Sequence, residues 1–487
     1  MDRNKKILIA ACAVAIALII VVGILLAMFG RDKTPLSERT LHLSVNGCDI
    51  EVPLKKNNVT VNAPSLAVGE NTFEVLGYPG GTVKANGKTV KVGNTSTIKV
   101  DAISSENQIV ITVRNVKDSR TVNLRTYSTR LPKLRTIGKG VKGGQYLVTE
   151  ADRPVMYALD DTGEIIWYKA LSAKSKTRFS DFKCHQTKSG VYYSYQVVNA
   201  DADNFGIADY RPGKRVIMDD KFKILTGDAG ITAYKKDKSI DWDQAGTAID
   251  GNAFEMLSRH NTFAVYCKPT RVTNMPDGIT AHKNTTVAAV VVQNAGRTHV
   301  SWEWNSADVA RLYSDSAAGN DYSSDDIQDY LNPSAMVVDP TDDNLILSFK
   351  NANCLVKIDS KTGKMMWTLG GKSDEFGLKD SQKFAGQTDV QVSAEGTLTI
   401  TQPGKITVLK LDEANKAVAS IRTRNIDNAV GANLMNADSG ELCVGKNGSV
   451  LIEERNVDGG EVKNALQIKT TTPHSIASVR FVPAQAD

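Results

Sequence analysis

Apolar residues run without a break from Ile7 to Phe29, "ILIAACAVAIALIIVVGILLAMF", a stretch of 23 residues with no charge. At about 1.5 Å per residue, a helix of that length crosses a hydrocarbon core of roughly 30 Å. No small-residue cleavage site of the Ala-x-Ala kind follows before Arg31, and Arg3, Lys5 and Lys6 precede the run with only Asp2 opposing them. This pattern predicts a signal anchor, with residues 1–6 in the cytoplasm, 7–29 in the membrane and the bulk of the chain outside it. Cleavage as a signal peptide is the competing reading, and it leaves the compartment unchanged.

Beyond the anchor the hydrophobic period shortens to two. Residues 30–38 are polar and contain Pro35, which suits a linker. From 39 to 128, alternating runs such as "TLHLSV", "NTFEVL" and "QIVITV" are separated by turns that include Asn46-Gly47 and Asn86-Gly87. Asn-Gly between β-prone runs is the preferred two-residue hairpin turn, because both residues tolerate positive φ. A small Ig-like β-sandwich is predicted over 39–128.

From 129 to 487 a longer repeat takes over: a β-run, a polar turn carrying Asp or Asn, then a second β-run that often contains Trp. It recurs at 155–171, 214–225, 289–306, 355–371 and 406–423, with turn residues Asp160, Asp219, Asn294, Asp359 and Asp412 spaced by 53 to 75 residues. That spacing holds about four short strands, the unit of a propeller blade. Five hairpins are visible, and the residues left over at either end are expected to complete a sixth blade, so the prediction is an all-β chain ending in a six-bladed β-propeller. Helical periodicity is confined to "SADVARLY" (306–313) and "DDIQDYL" (325–331), both placed in long loops. Trp167, Trp302, Trp304 and Trp367 fall at one place in the repeat and read as blade-core packing.

Composition narrows the function classes. A formal charge of +5 over 487 residues, with both signs interspersed, gives no basic footprint for nucleic acid. The six cysteines include no C-x-x-C pair, so buried free thiols are expected rather than a disulfide framework. No metal-ligand spacing occurs among the six histidines. "DADNFGIAD" (201–209) has acidic residues at calcium-loop positions, but Phe205 and Pro212 stand where ligands are needed, so it reads as a solvated turn.

The segment 325–389 carries the most specific signal. "DYLNPSAMVVDPTDDNLILSFKNANCLVKIDSKTGKMMWTLGGKSDEFGL" and "QKFAGQTD", preceded by "GEIIWYKAL", "DGNAFEML" and "VVVQNAGRTHVSWEWNS", resemble the bacterial arylsulfotransferase family over roughly residues 130–482. The resemblance implies a propeller with a central site, no cofactor, and sulfuryl transfer from an aryl sulfate to a phenol through a sulfohistidine. An imidazole offers the lone pair the nucleophile needs at neutral pH, a neighbouring base deprotonates the acceptor, and fixed donors hold the sulfuryl oxygens.

At the family's nucleophile, Gln-His-Asp, this chain has Gln387-Thr388-Asp389. At its His-x-Asn-Ser it has Asn332-Pro333-Ser334-Ala335, at its Phe-Arg-Asn it has Phe349-Lys350-Asn351, and at its Asp-Gly-His it has Asp250-Gly251-Asn252. Thr388, Asn332, Ser334 and Asn252 are therefore the family-equivalent positions, and Lys350 is the expected anion-binding residue. A Thr hydroxyl needs an adjacent base, and Asn252 and Asn332 cannot serve as one. His185, in "FKCHQ", is the histidine least easily set aside. Two functions are expected: a membrane-anchored propeller without catalysis that binds a phenolic or aryl sulfate ligand or acts as a scaffold, or an active sulfotransferase with a rearranged site.

Overall fold

The computed structural model describes residues 34–63, 66, 69–100, 108–125, 131–132, 134–137, 144–163, 165–171, 175–199, 203–207, 209–226, 231–233, 247–436, 440–459, 461–468 and 475–483. The predicted anchor at 7–29 lies outside them. Among the described residues, no helix is long and apolar enough to cross a membrane. The chain divides into two compact units, with the boundary near residue 125.

The first unit holds two sheets. One runs in the order Cys48–Pro53, Thr40–Val45, Gly69–Val75, Ser96–Val100; the other runs Asn58–Asn62, Ser119–Arg125, Ile109–Arg114, Thr82–Ala85, Lys88–Val90. The period-two pattern is realised residue by residue: Leu41, Leu43 and Val45 are buried, as are Ile109, Ile111 and Val113. Asn46 and Gly47 (φ +51° and +81°) close the first hairpin, and Asn86 and Gly87 (φ +46° and +79°) close another. Both are left-handed positions that this dipeptide favours.

Among the described residues, the second unit contains six small antiparallel sheets taken up in chain order. Their innermost strands are Thr177–Thr187, Phe254–Ser258, Pro333–Val338, Asp389–Val392, Ala429–Asn436 and Ile476–Val482. Each adjoins the next, and the last adjoins the first, so the six form a closed, propeller-like ring. The two ends of the unit complete it. Ile476–Val482 pairs with Gln145–Glu150, and Leu134–Ile137 pairs with Val462–Ile468.

All five repeats seen in the sequence are the outer parts of their sheets. Four are laddered hairpins, each with one register slip, whereas in 214–225 the returning arm makes only a single bridge, Met218 to Ile224. The turn aspartates explain the repeat physically. Asp359 Oδ1 accepts from the backbone N–H groups of Lys361 (3.0 Å) and Thr362 (2.7 Å) and from the Thr362 hydroxyl (2.9 Å). Asp160, Asp219 and Asp412 make related local bonds, while Asn294 reaches instead to Asn261. Asp359→Ala is expected to lower stability by about 1 kcal/mol, read by urea denaturation, since it frees two backbone donors at an exposed turn.

Trp167, Trp302, Trp304 and Trp367 are all buried among aromatic partners. A short helix forms at Arg311–Asp315, within and just beyond the predicted 306–313. Residues 325–331 are not helical. Gln328 instead bridges to Val287, exchanging backbone bonds with Thr286 and Ala288, and so extends a sheet edge while Tyr330 and Leu331 fill the core. Cys184, Cys267, Cys354 and Cys443 are free thiols, three of them buried.

Candidate functional site

The inner strands converge on a cavity of about 180 Å³ to which all six sheets, or the segments leading into them, contribute. Backbone irregularity places many of its side chains. Ladder register slips between Ser180 and Lys183, between Pro333 and Ala335, between Ala429 and Gly431, and opposite Ala477. The residues at these slips, Asp181, Ser334, Val430 and Ala477, all line the cavity. A β-bulge turns a side chain off the sheet face, and here four bulges turn theirs toward one axis. Gly251 and Gly431 permit the close approach: a Cβ at the first would lie 2.6 Å from Ser180 Oγ, and one at the second 2.5 Å from the Val479 carbonyl oxygen.

Three of the five sequence-predicted positions, Asn252, Ser334 and Thr388, meet in this cavity. The triplet around Thr388 divides its work. Gln387 is fully buried and donates to the carbonyls of Phe349 and Cys354, each at 3.0 Å, tying its strand to the preceding sheet. Asp389 turns inward to Arg480, with Oδ1 3.0 Å from Nη1. Thr388 is left exposed between them, its hydroxyl 3.5 Å from the Thr401 carbonyl oxygen.

The other two positions lie elsewhere. Asn332 is buried with φ +50°, and its amide donates to Asp329 Oδ2 at 2.8 Å. Lys350 is ion-paired to Asp209 at 2.7 Å. Neither lines the cavity.

The charged cavity residues, none of them anticipated from sequence, are Asp181, Arg211, Asp389 and Arg480. Asp181 sits at φ +46°, an uncommon conformation for a residue other than glycine, with its carboxylate held by three cations. Arg215 Nη2 lies 2.8 Å from Oδ2, Lys183 Nζ 3.4 Å from Oδ2, and Arg480 Nη2 3.0 Å from Oδ1. Burial alone raises its pKa, but Lys183, Arg215 and Arg480 outweigh burial and bring it down to about 2. Asp389 goes the other way: burial holds its carboxyl above the usual range, and Arg480 offsets only part of this.

His185 belongs to the same buried network. Its Nδ1 is 2.9 Å from Glu255 Oε2 and its Nε2 is 2.6 Å from Ser194 Oγ. Ser, His and Glu in this order have the composition of a hydrolytic relay. Here, however, Ser194 is fully buried, its oxygen also accepts from Arg215 Nε at 3.0 Å, and none of the three lines the cavity. The relay is sealed, and burial lowers the His185 pKa. The arrangement is a structural clamp. Lys183 extends it by donating to Glu255 (2.9 Å) and to the carbonyls of Phe254 (3.0 Å) and Met336 (3.1 Å), which joins three sheets.

His474 and Asp201 lie outside the described residues. Among the described residues, no group of three or more His, Cys, Asp or Glu could hold a metal ion.

The arylsulfotransferase (ASST) family model matches residues 255–406. No curated protein matches the chain. Among solved structures, the chain is similar to a protein of unknown function from Bacteroides caccae (10% identity, TM-score 0.39, covering 70% of this chain and 99% of that one). It is also similar to a periplasmic gluconolactonase from Pseudomonas aeruginosa (11%, 0.36, 70% and 99%). A third likeness is to a putative 6-phosphogluconolactonase from Bacteroides uniformis (12%, 0.37, 78% and 96%).

Proposed function

We propose, from the premise that residues 255–406 belong to the arylsulfotransferase family, that this chain is a six-bladed propeller of that family that no longer transfers sulfuryl groups and binds a ligand in its axial cavity. The apolar run at 7–29 would display it outside the cytoplasmic membrane, with the Ig-like unit between anchor and propeller. The observation that carries this reading is the surroundings of Thr388.

Nucleophilic attack on an aryl sulfate forms a bond from the nucleophile to sulfur and expels a phenolate. A neutral hydroxyl can do this only if a base takes its proton. The polar neighbour of the Thr388 hydroxyl is a backbone carbonyl, which accepts a hydrogen bond but does not remove a proton. Asp389, adjacent in the chain, directs its carboxylate to Arg480 and Gln391. Asn252, in the same wall, has no basic nitrogen. No imidazole is present among the described lining residues.

The full-length chain in detergent, given 4-nitrophenyl sulfate and a phenol acceptor, is expected to release no nitrophenolate. Intact mass is expected to show no sulfated protein. Turnover that disappears in Thr388→Ala would instead establish an active transferase with a rearranged site.

A further inference from the structure

Arg211 stands in the cavity wall with no hydrogen bond or ion pair on its guanidinium among the described residues. Its backbone N–H lies 3.5 Å from Asp250 Oδ2. The other cations nearby are already matched, Arg480 to Asp181 and Asp389, and Lys350 to Asp209. The charge of Arg211 is felt by Asp209 and Asp250 without a side-chain contact to either, which leaves the guanidinium open to an anion that can take its two parallel N–H groups.

The rest of the wall specifies what the anion carries. Ser180 donates its proton to the Gly251 carbonyl (3.0 Å), Ser334 to Ser348 Oγ (2.8 Å) and Thr388 toward the Thr401 carbonyl (3.5 Å). Ser180 and Ser334 have their hydrogens committed to the protein and turn acceptor lone pairs to the cavity, and the Thr388 oxygen lies beside them. The Asp181 and Asp389 carboxylates add further acceptors. An aryl sulfate has no O–H to give them. The apolar part of the wall consists of Ala429, Val430 and Ala477, and no aromatic ring lines the cavity among the described residues, which leaves an aryl group without a large flat partner. The volume, about 180 Å³, is close to that of cavities that hold one benzene-sized molecule.

We propose that the axial cavity binds a small hydroxylated carboxylate, its carboxylate on Arg211 and its hydroxyls donating to Ser180, Ser334 and Thr388. This deepens the reading of the chain as a ligand-binding propeller and rests on it.

The test is isothermal titration of the full-length chain in detergent with L-threonate, with erythritol (hydroxyls but no carboxylate) and with phenyl sulfate. The expected result is that threonate binds, erythritol does not, and phenyl sulfate binds more weakly than threonate. Arg211→Ala is expected to weaken threonate by about tenfold or more, and Arg211→Lys to recover part of that loss. Absence of threonate binding, tighter binding of phenyl sulfate, or threonate binding indifferent to Arg211→Ala would each overturn the proposal. These outcomes are separable from failure of the parent reading, which is turnover of an aryl sulfate. Phenyl sulfate that binds tightly without turnover overturns only the ligand class.

Discussion

Arg480→Met is expected to lower the unfolding free energy of the propeller unit by about 3–5 kcal/mol, the range seen when one partner of a buried ion pair is removed. Arg480 lies on the last inner strand, Ile476–Val482, at the seam where the ring closes. One guanidinium nitrogen bonds Asp181 and another bonds Asp389, each at 3.0 Å, so a single side chain joins three inner strands through their carboxylates. Met fills much of the same volume and keeps the packing, so the loss is that of charge and hydrogen bonds. Asp181 would retain Arg215 and Lys183, whereas among the described residues Asp389 would keep the Gln391 amide (3.1 and 3.2 Å) and the more distant charge of Lys183. The cost should therefore fall mainly on Asp389. Adding Asp389→Asn to Arg480→Met should recover part of the stability, because it removes the uncompensated carboxylate. Urea unfolding of the four proteins of this double-mutant cycle gives the coupling directly. A cost below about 1 kcal/mol for Arg480→Met would show that the pair is merely tolerated.

What could be read from the sequence was what short-range chemistry encodes. The alternation in Thr40–Val45 and the Asn-Gly turns report local backbone preferences, and the structure reproduces them. The recurring Asp before the second arm of each repeat is legible because it bonds residues only two to four positions away. Only the family resemblance groups Thr388, Ser334 and Asn252; in the structure they meet because each begins or precedes an inner strand at the same end of its sheet.

Lys350 and Asn332 follow different rules from their neighbours. A left-handed backbone turns Asn332 back onto Asp329, and Lys350 reaches a carboxylate 141 residues away. Asp181 and Arg480 are 299 residues apart, so no window along the chain reveals that they meet. A signal was nonetheless present. Arg480 interrupts the apolar positions of "IASVRFV", and Asp181 interrupts "RFSDFKC". A charge on an inner strand that is largely buried is expected to be paired, because burial penalises an isolated charge.

Asp250 should give the propeller a pH dependence opposite in sign to that of an ordinary paired carboxylate. It is fully buried, with Oδ1 accepting from the Asn252 N–H at 2.7 Å and Oδ2 at the longer distance of 3.5 Å from the Arg211 backbone N–H. Burial dominates and pushes its pKa from 3.8 up to about 7. The folded chain thus holds a proton at this site that the unfolded chain releases. Its contribution to stability is complete below about pH 3.8 and is lost as pH rises through about 7. The shift of about three pKa units corresponds to about 4 kcal/mol across that interval. Asp181, brought down to about 2, contributes in the opposite sense but loses its share only below the ordinary carboxylate range, outside this window.

His185 does act inside the window. Its lowered pKa favours the fold above its ordinary value near 6.5 and disfavours it as pH falls. Asp250→Asn leaves that contribution in place and keeps a carbonyl oxygen for the Asn252 N–H, so the difference between the two proteins isolates the carboxyl. Below about pH 3.8 they should be nearly equal in stability, and at pH 5 the Asn variant should already lead by about 1.6 kcal/mol. By pH 8 the Asn variant should be the more stable by several kcal/mol, with the gap opening at up to about 1.4 kcal/mol per pH unit. Parallel urea titrations at pH 5, 6, 7 and 8 measure this. Curves that stay parallel would mean that Asp250 is ionised in the folded chain throughout, and that the charge of Arg211 has outweighed burial.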